Sequence, residues 1–552
     1  MIVDRLVNGL RADLGGFWGQ VAPPQLPPLG LHTFRVTPPG GTVRLHLRVE
    51  ADGQGLLFVD VTDVVHLNPS ATYIAWLALT GLPRERAAGA LVARFGARLP
   101  VAGDQIYTMV ERFSNPALGC PTCAVLPGST GLPRTAGAEV LPGPAVLAQT
   151  ALFSTTVHAP FKADLAITYG CNNHCSHCYN EPDRLDMASL TAPEWKRVID
   201  VLHRVGVPHL IFTGGEATLH PDLPELITYA DGLGHICGLN TNGRRIAHRP
   251  FMQTLADAGL NHIQVTLSSS RPALHDDING ATAWKQTVRG IENAMAVGVH
   301  AITNTTLMQR NRDHVEEIID FLYGLGIRTF AMNGMIYSGG GYGDAGASPD
   351  AIPEAEMAPL LIRVRDHAAD LGMRFLWYTP TEYCRLSPVE LEIGAKRCNA
   401  GEYSMCIEPN GDVLPCQSFY VAAGNVLRDP WESIWDSSLF RSFRDREDNP
   451  RLAGLPEKCW ECPDLPLCGG GCRIEREARD GVHTATAGGG AAVGRCSCAT
   501  SATAPTACGG GAGACHSDAI GSGFKPNASL TRREPRGGLI SVDSLFAEYD
   551  KA

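Results

Sequence analysis

The stretch ADLAITYGCNNHCSHCY, residues 163–179, decides how this chain is read. Ala163–Tyr169 is an apolar run of strand length. Cys171, Cys175 and Cys178 follow at once in a short loop with the spacing C-x3-C-x2-C. Three thiolates can bind three irons. A four-iron cubane ordinarily takes four cysteines, so a loop with three leaves one iron open to a small molecule, as in catalytic metal sites. The plainer alternatives are three buried thiols or a structural zinc, but structural zinc closes its shell with four protein ligands.

Downstream, the strand-like runs HLIFT (209–213), ICGLN (236–240), HIQVTL (262–267), AITNTTLM (301–308) and RTFAMNGM (328–335) alternate with helical patterns. These helices fall at 192–205, near 222–232, at 283–299 and at 313–326. The first is well signalled: Thr191 and Glu194 form a capping box, and Trp195, Val198, Ile199, Leu202 and Val205 recur on one face. Six strand–helix units imply a parallel sheet, and right-handed crossovers would curl it into an α/β open partial barrel, (β/α)6. Working residues then belong at the C-terminal strand ends, where the cysteine loop falls.

With Tyr179 after its third cysteine, the loop resembles the signature of the radical S-adenosylmethionine (radical SAM) superfamily. The resemblance implies that the open iron of a [4Fe-4S] cluster chelates the amino and carboxylate groups of S-adenosyl-L-methionine. An electron from the cluster then breaks a carbon–sulfur bond to give a 5'-deoxyadenosyl radical. Thr213-Gly214-Gly215-Glu216 matches the family's glycine-rich loop, where missing side chains would let backbone groups reach the methionine end of the cofactor. Tyr179, Gly214, Gly215, Glu216, Asn240, Thr266, Ser268 and Asn304 are the expected cofactor-binding residues, each weighed against a simple strand-end cap. Family members often read Ser-Leu-Asp-Gly where this chain has Thr266-Leu267-Ser268-Ser269, although His275-Asp276 follows as usual. No further catalytic side chain is assigned.

Cys398, Cys406 and Cys416, then Cys459, Cys462, Cys468 and Cys472, with Trp431-Glu432-Ser433-Ile434-Trp435 between them, resemble a SPASM extension. That domain holds two auxiliary [4Fe-4S] clusters and is typical of enzymes that modify peptides or proteins. By analogy, Cys398, Cys406, Cys416 and Cys472 hold the first, and Cys459, Cys462 and Cys468 the second, with Cys496 or else Cys498 as its fourth ligand. A pair of zinc ribbons is the alternative, since paired C-x2-C motifs also suit zinc. Cys384 reads as a spare ligand or a buried thiol, Cys237 as core, and Cys120 and Cys123 as a lone C-x2-C without function ahead of a metal or redox role.

Before the barrel, TVRLHLRVE (42–50) and GLLFVDV (55–61) read as strands around Ala51-Asp52-Gly53-Gln54-Gly55. Two amphipathic helices follow, one with Ile74, Leu77 and Ala78 and one with Leu91, Val92 and Phe95, giving a compact winged-helix-like α+β unit. His66–Thr72, Trp76 and Gly81 resemble the peptide-recognition element related to the pyrroloquinoline-quinone chaperone, which adds a leader peptide to its sheet edge. The expected divisions are a recognition domain at 1–110, a Pro/Gly-rich linker at 111–160, the barrel at 161–380, the SPASM domain at 381–500 and a low-complexity tail at 501–552. The tail's Gly, Ala, Ser and Thr cannot bury a core, and its cysteines include Cys508 and Cys515.

Together these parts resemble maturases of ribosomally made peptides. That implies a precursor peptide as substrate, modified on a side chain, and an electron donor such as flavodoxin or ferredoxin. A sulfatase-type protein maturase or a haem-pathway enzyme uses the same barrel and is the alternative. The remaining expectations come from composition. The net charge of −11 disfavours nucleic acid, and no run of about 18 apolar residues suggests a membrane span. The opening MIVDRLVNGLRADLGGFWGQ lacks a signal-peptide core, and 18 cysteines in metal-like clusters suit reduced surroundings, so a cytoplasmic location is expected.

Overall fold

The computed structural model describes residues 24–38, 43–60, 63–95, 100–115, 118, 157–342 and 348–479. Cys120, Cys123, Cys496, Cys498, Cys508, Cys515 and the tail from residue 501 lie outside them.

Four strands open the chain: β1 (Gly30–Val36), β2 (Val43–Val49), β3 (Gly55–Val59) and β4 (Asp63–Leu67), paired in that order as an antiparallel meander. Gly53, at φ 82°, makes the turn between β2 and β3. Three helices follow, Pro69–Leu79, Arg84–Phe95 and Pro100–Ser114. Asn68 caps the first by accepting from Ala71 N at 2.9 Å. The third helix was not among the two expected, because its start, Pro-Val-Ala-Gly, reads locally as a loop; it carries the front unit past the expected boundary at residue 110 to Ser114.

Strand β2 shows why this unit is not a detached module. Its alternate residues Leu45, Leu47 and Val49 are buried in a core shared with the three helices. Arg44, His46 and Arg48 point the other way, onto the barrel. Arg44 Nη1 donates to His235 O at 2.8 Å, His46 Nε2 to Gly234 O at 2.7 Å, and Arg48 Nη1 to Gly206 O at 3.2 Å. The Arg48 guanidinium also lies 5.8 Å from the Phe58 ring and 5.3 Å from the Phe161 ring. Leu56, Phe58 and Val64 of the same sheet join the barrel's own core.

The six expected parallel strands are β5 (Lys162–Thr168), β6 (His209–Gly214), β7 (Ile236–Thr241), β8 (His262–Thr266), β9 (His300–Thr306) and β10 (Thr329–Asn333). A seventh, β11 (Arg374–Trp377), extends one edge after the helix Glu354–Asp370. Its four residues are too short a run to announce a strand by pattern. The opposite edge is extended by the cysteine-rich region. Strand β12 (Ser404–Ile407) pairs parallel to β5, and β13 (Asp412–Leu414) and β14 (Gly424–Asn425) continue antiparallel, making one ten-stranded sheet.

Alternation along these strands separates two faces. Leu165, Phe212, Leu239, Val265, Met332 and Ile407 pack under the helices in a continuous core. Their neighbours, among them Asp164, Asn240, Gln264, Thr266, Asn304 and Cys406, therefore face the concave side. The helix Ala192–Val205 buries Trp195, Val198, Ile199 and Leu202; Glu194 accepts from Thr191 N at 2.9 Å, and Gly206 at φ 87° ends it. Among the described residues no helix is long and apolar enough to cross a membrane.

Buried histidines gather where the front sheet meets the N-terminal strand ends. One Nε2–H of the His209–His262 pair donates to the other Nε2 at 2.7 Å. Burial pushes His46 down to about 4 and both His235 and His262 to about 3, so all are neutral in the fold. The unfolded chain protonates them below their ordinary 6.5 while the folded chain does not. Stability is therefore complete above pH 6.5 and falls as pH drops toward the folded values, by up to about 1.4 kcal/mol per histidine per pH unit. Thermal melts from pH 7.5 to 5 should show this fall, and His262→Gln should make it shallower.

Candidate functional site

The cysteine loop is held from below by backbone. Gly215 N donates to Thr168 O at 2.8 Å and Glu216 N to Gly170 O at 2.9 Å, which locks the turn after β6 against the turn that leads into Cys171. A Cβ on Gly214 would stand 2.0 Å from Thr168 O, and one on Gly215 would stand 2.2 Å from Tyr169 O. The glycines are thus required by backbone packing beside the loop.

Two further loops close on residues 171–179 from the side. His174 N donates to Asn279 O at 2.9 Å, Ser176 N to Ile278 O at 3.0 Å and Gly340 N to Cys178 O at 2.7 Å. Side chains add to the frame: Asn242 Nδ2 donates to Asn172 Oδ1 at 2.7 Å, Arg244 Nη1 to Asn173 Oδ1 at 2.9 Å, and Arg310 Nη2 to Ser176 Oγ at 2.5 Å. Asn279, Arg244 and Arg310 were not legible as site residues, because they come from three separate segments: the end of the helix Pro272–Asn279 and the loops after β7 and β9.

Cys171, Cys175 and Cys178 are free thiols that feel one another. Burial pushes Cys175 up to about 12, and the neighbouring thiolates of Cys178 and Cys171 push the same way. Holding all three as thiolates therefore calls for a positive centre among them, which an iron cluster supplies. Among the described residues no three His, Cys, Asp or Glu side chains close on a point as a single ion would require. The thiols stand as neighbours in three groups.

The expected cofactor contacts divide. Asn240, Thr266 and Asn304 stand half-buried on the concave face. Asn304 Oδ1 is buried without a hydrogen-bond partner, and so is Asn333 Oδ1 at the end of β10, which sequence reasoning did not single out. Two unsatisfied amide oxygens at adjacent strand ends suit a ligand rich in N–H and O–H donors, as an adenosyl amino acid is. Ser268 is buried, its Oγ 3.4 Å from Asn279 Oδ1. Tyr179 is half-buried near Cys178, Cys406 and Asp164, between the loop and the extension.

Glu216, an expected cofactor contact, has its carboxylate engaged by protein donors. It is 1% exposed, and its carboxylate accepts from Thr218 Oγ1 at 2.5 Å, Thr241 Oγ1 at 2.6 Å and Asn242 N at 2.7 Å. It ties β6 to β7 and, through Asn242, to Asn172 of the loop. Glu216 is a positioning residue.

In the extension, Cys398, Cys416 and Cys472 pack together around Phe419 and Phe443. Cys406 is fully buried on β12 with Ala166, Tyr169 and Tyr420, near Cys416 and Asp164. Cys459 and Cys462 form a separate group beside Leu455 and Leu465. The first group is braced by buried ions: Arg397 Nη2 donates to Glu402 Oε1 and Arg446 Nη2 to Glu402 Oε2, each at 2.7 Å, while Arg446 also donates to Cys398 O at 2.9 Å.

Residues 165–322 match the radical SAM superfamily, and residues 398–463 match the SPASM iron-sulfur cluster-binding domain. The chain is 30% identical over 332 residues to the mycofactocin maturase MftC of Mycobacterium tuberculosis, covering 58% of this chain and 80% of that protein. It is 29% identical over 338 residues to the PqqA peptide cyclase of Streptomyces rochei (60% and 89% covered). It is also 29% identical over 336 residues to the AdoMet-dependent heme synthase of Oleidesulfovibrio alaskensis (58% and 84%). In fold it is similar to Streptococcus suis SuiB, solved with the precursor peptide SuiA, at a TM-score of 0.54 and 17% identity over 80% of this chain and 96% of that one.

Replacing Glu216 by Ala strands four donors at once, Thr218 N and Oγ1, Thr241 Oγ1 and Asn242 N, at a cost of about 2–4 kcal/mol. The variant should melt earlier and retain less iron on the 171–178 loop, read by thermal melts and iron analysis, whereas loss of a mere cofactor contact would leave both unchanged.

Proposed function

This chain belongs to the radical SAM superfamily and carries a SPASM iron-sulfur domain, and from that we propose that it matures a ribosomally made precursor peptide by modifying one of its side chains. The observation that carries this reading is the front sheet, fixed to the barrel by Arg44, His46 and Arg48 in the same chain as the cysteine loop. Its edge strands β1 and β4 each have one sheet neighbour among the described residues, so a leader can add as a further strand. A rigidly docked recognition sheet raises the local concentration of the peptide core near the barrel. A heme synthase handles a tetrapyrrole and gains nothing from such an edge.

Cys171, Cys175 and Cys178 would hold the [4Fe-4S] cluster that binds S-adenosyl-L-methionine. When bound, this pair supplies a 5'-deoxyadenosyl radical. The protein's part is placement. The loop is clamped by Thr168, Gly170, Ile278 and Asn279, while Asn304 and Asn333 offer acceptors to the cofactor's donors. Asn240 and Thr266 complete the concave wall, and Tyr179 packs the loop against β12. Cys398, Cys406, Cys416 and Cys472 would hold one auxiliary [4Fe-4S] cluster and Cys459, Cys462 and Cys468 the other. The reading calls for a small electron donor such as flavodoxin or ferredoxin and a cytoplasmic setting.

Anaerobically reconstituted protein should bind about 12 irons per chain for three cubanes. Changing Cys171, Cys175 and Cys178 to Ala should lower this to about eight and abolish 5'-deoxyadenosine formation. Incubation with a leader-bearing peptide encoded beside the gene should change the peptide's mass, and removing its leader should slow this sharply. Equal turnover with and without the leader would refute the docking role.

A further inference from the structure

The group containing Cys459 and Cys462 has a neighbour from a different part of the chain. Beyond β11, the segment Pro380–Cys384 wraps the turn that carries Cys468 and Cys472. Cys472 N donates to Pro380 O at 3.1 Å, Tyr383 N donates to Cys468 Sγ at 3.3 Å, and Cys468 Sγ donates to Thr381 O at 3.7 Å. The approach is close enough that a Cβ on Gly471 would stand 2.9 Å from Glu382 N. Cys384 is therefore one residue beyond an amide that already touches the Cys468 sulfur. From the other side, Lys458, the residue before Cys459, donates Nζ to Cys384 Sγ at 3.6 Å.

We propose that Cys384 is the fourth protein ligand of the second auxiliary cluster, completing the set of Cys459, Cys462 and Cys468. This rests on the reading that those three cysteines hold a cluster. A cubane ordinarily takes four cysteines, and Cys472 stands with Cys398 and Cys416 in the other group. Cys384 lies outside the matched span 398–463, so the match does not account for it.

A further observation agrees. Glu382 is 5% exposed, and its Oε1 is buried with no hydrogen-bond partner and lies 3.8 Å from Lys458 Nζ. Its other oxygen accepts from Arg479 Nη2 at 2.5 Å, so Glu382 ties Arg479 and Lys458 to the segment that carries Cys384. Cys384 is held in place by the bonds of its neighbours.

The test uses the full chain, reconstituted anaerobically with iron and sulfide, and reads iron content and the EPR spectrum of the reduced protein. Cys384→Ala should lose about four of about 12 irons, or keep them with one spectral component altered. Cys384→Ser, which keeps a ligating oxygen, should retain the iron and shift the g values of that same component. The double variant Cys496→Ala/Cys498→Ala should match the parent. Parent-like spectra for both Cys384 variants would overturn the ligand assignment while leaving the cluster. A parent protein with only about eight irons would overturn the second auxiliary cluster itself, and the assignment with it.

Discussion

The contact on which the site depends is backbone against backbone. Thr168 and Gly170 at the end of β5 accept from Gly215 and Glu216 at the end of β6, at a separation that admits no Cβ at residue 214 or 215. A strand pairing fixes only the ends of two strands. This contact fixes the direction in which the chain leaves β5, and with it the position of Cys171. Glu216 extends the constraint sideways, since its carboxylate gathers Thr218, Thr241 and Asn242, and Asn242 in turn holds Asn172. The frame keeps the three thiols adjacent, where a positive centre could bind them as thiolates.

A second constraint joins the catalytic barrel to the cysteine-rich region. Pairing of β12 with β5 makes the extension part of the same sheet and puts Cys406 beside Asp164. Tyr420, which donates to Tyr179 O at 3.2 Å, fills the space between the radical loop and the extension. The buried Arg397, Glu402 and Arg446 hold the Cys398 segment by charge-assisted bonds. Glu402 is the shared partner, so its removal would leave Arg446 buried without a carboxylate, while Arg397 would keep Glu447.

The front sheet is attached by the same logic. Its strands divide by alternation: Leu45, Leu47 and Val49 pack with the front helices, while Leu56, Phe58 and Val64 join the barrel's core. Arg48 is the pivot, paired with Glu50 and packed on Phe58 and Phe161.

By itself, the sequence determined the repeating strand–helix order, the helix Ala192–Val205 with its Thr191–Glu194 cap, and the C-x3-C-x2-C loop at a strand end. These are local signals, written in periodicity and spacing. It also pointed to two groups of cysteines after residue 398, because metal ligands recur at short intervals. Tertiary structure decided what depends on residues far apart meeting. The role of Glu216, the clamp of Asn279 on the loop and the orphaned oxygen of Asn333 come from separate segments that only the folded sheet brings together. The same is true of Cys384, which lies beside Lys458 and Cys468 because the segment after β11 folds over a turn more than 80 residues later in the chain. The helix Pro100–Ser114 and strand β11 escaped the pattern because packing, not local propensity, stabilises them.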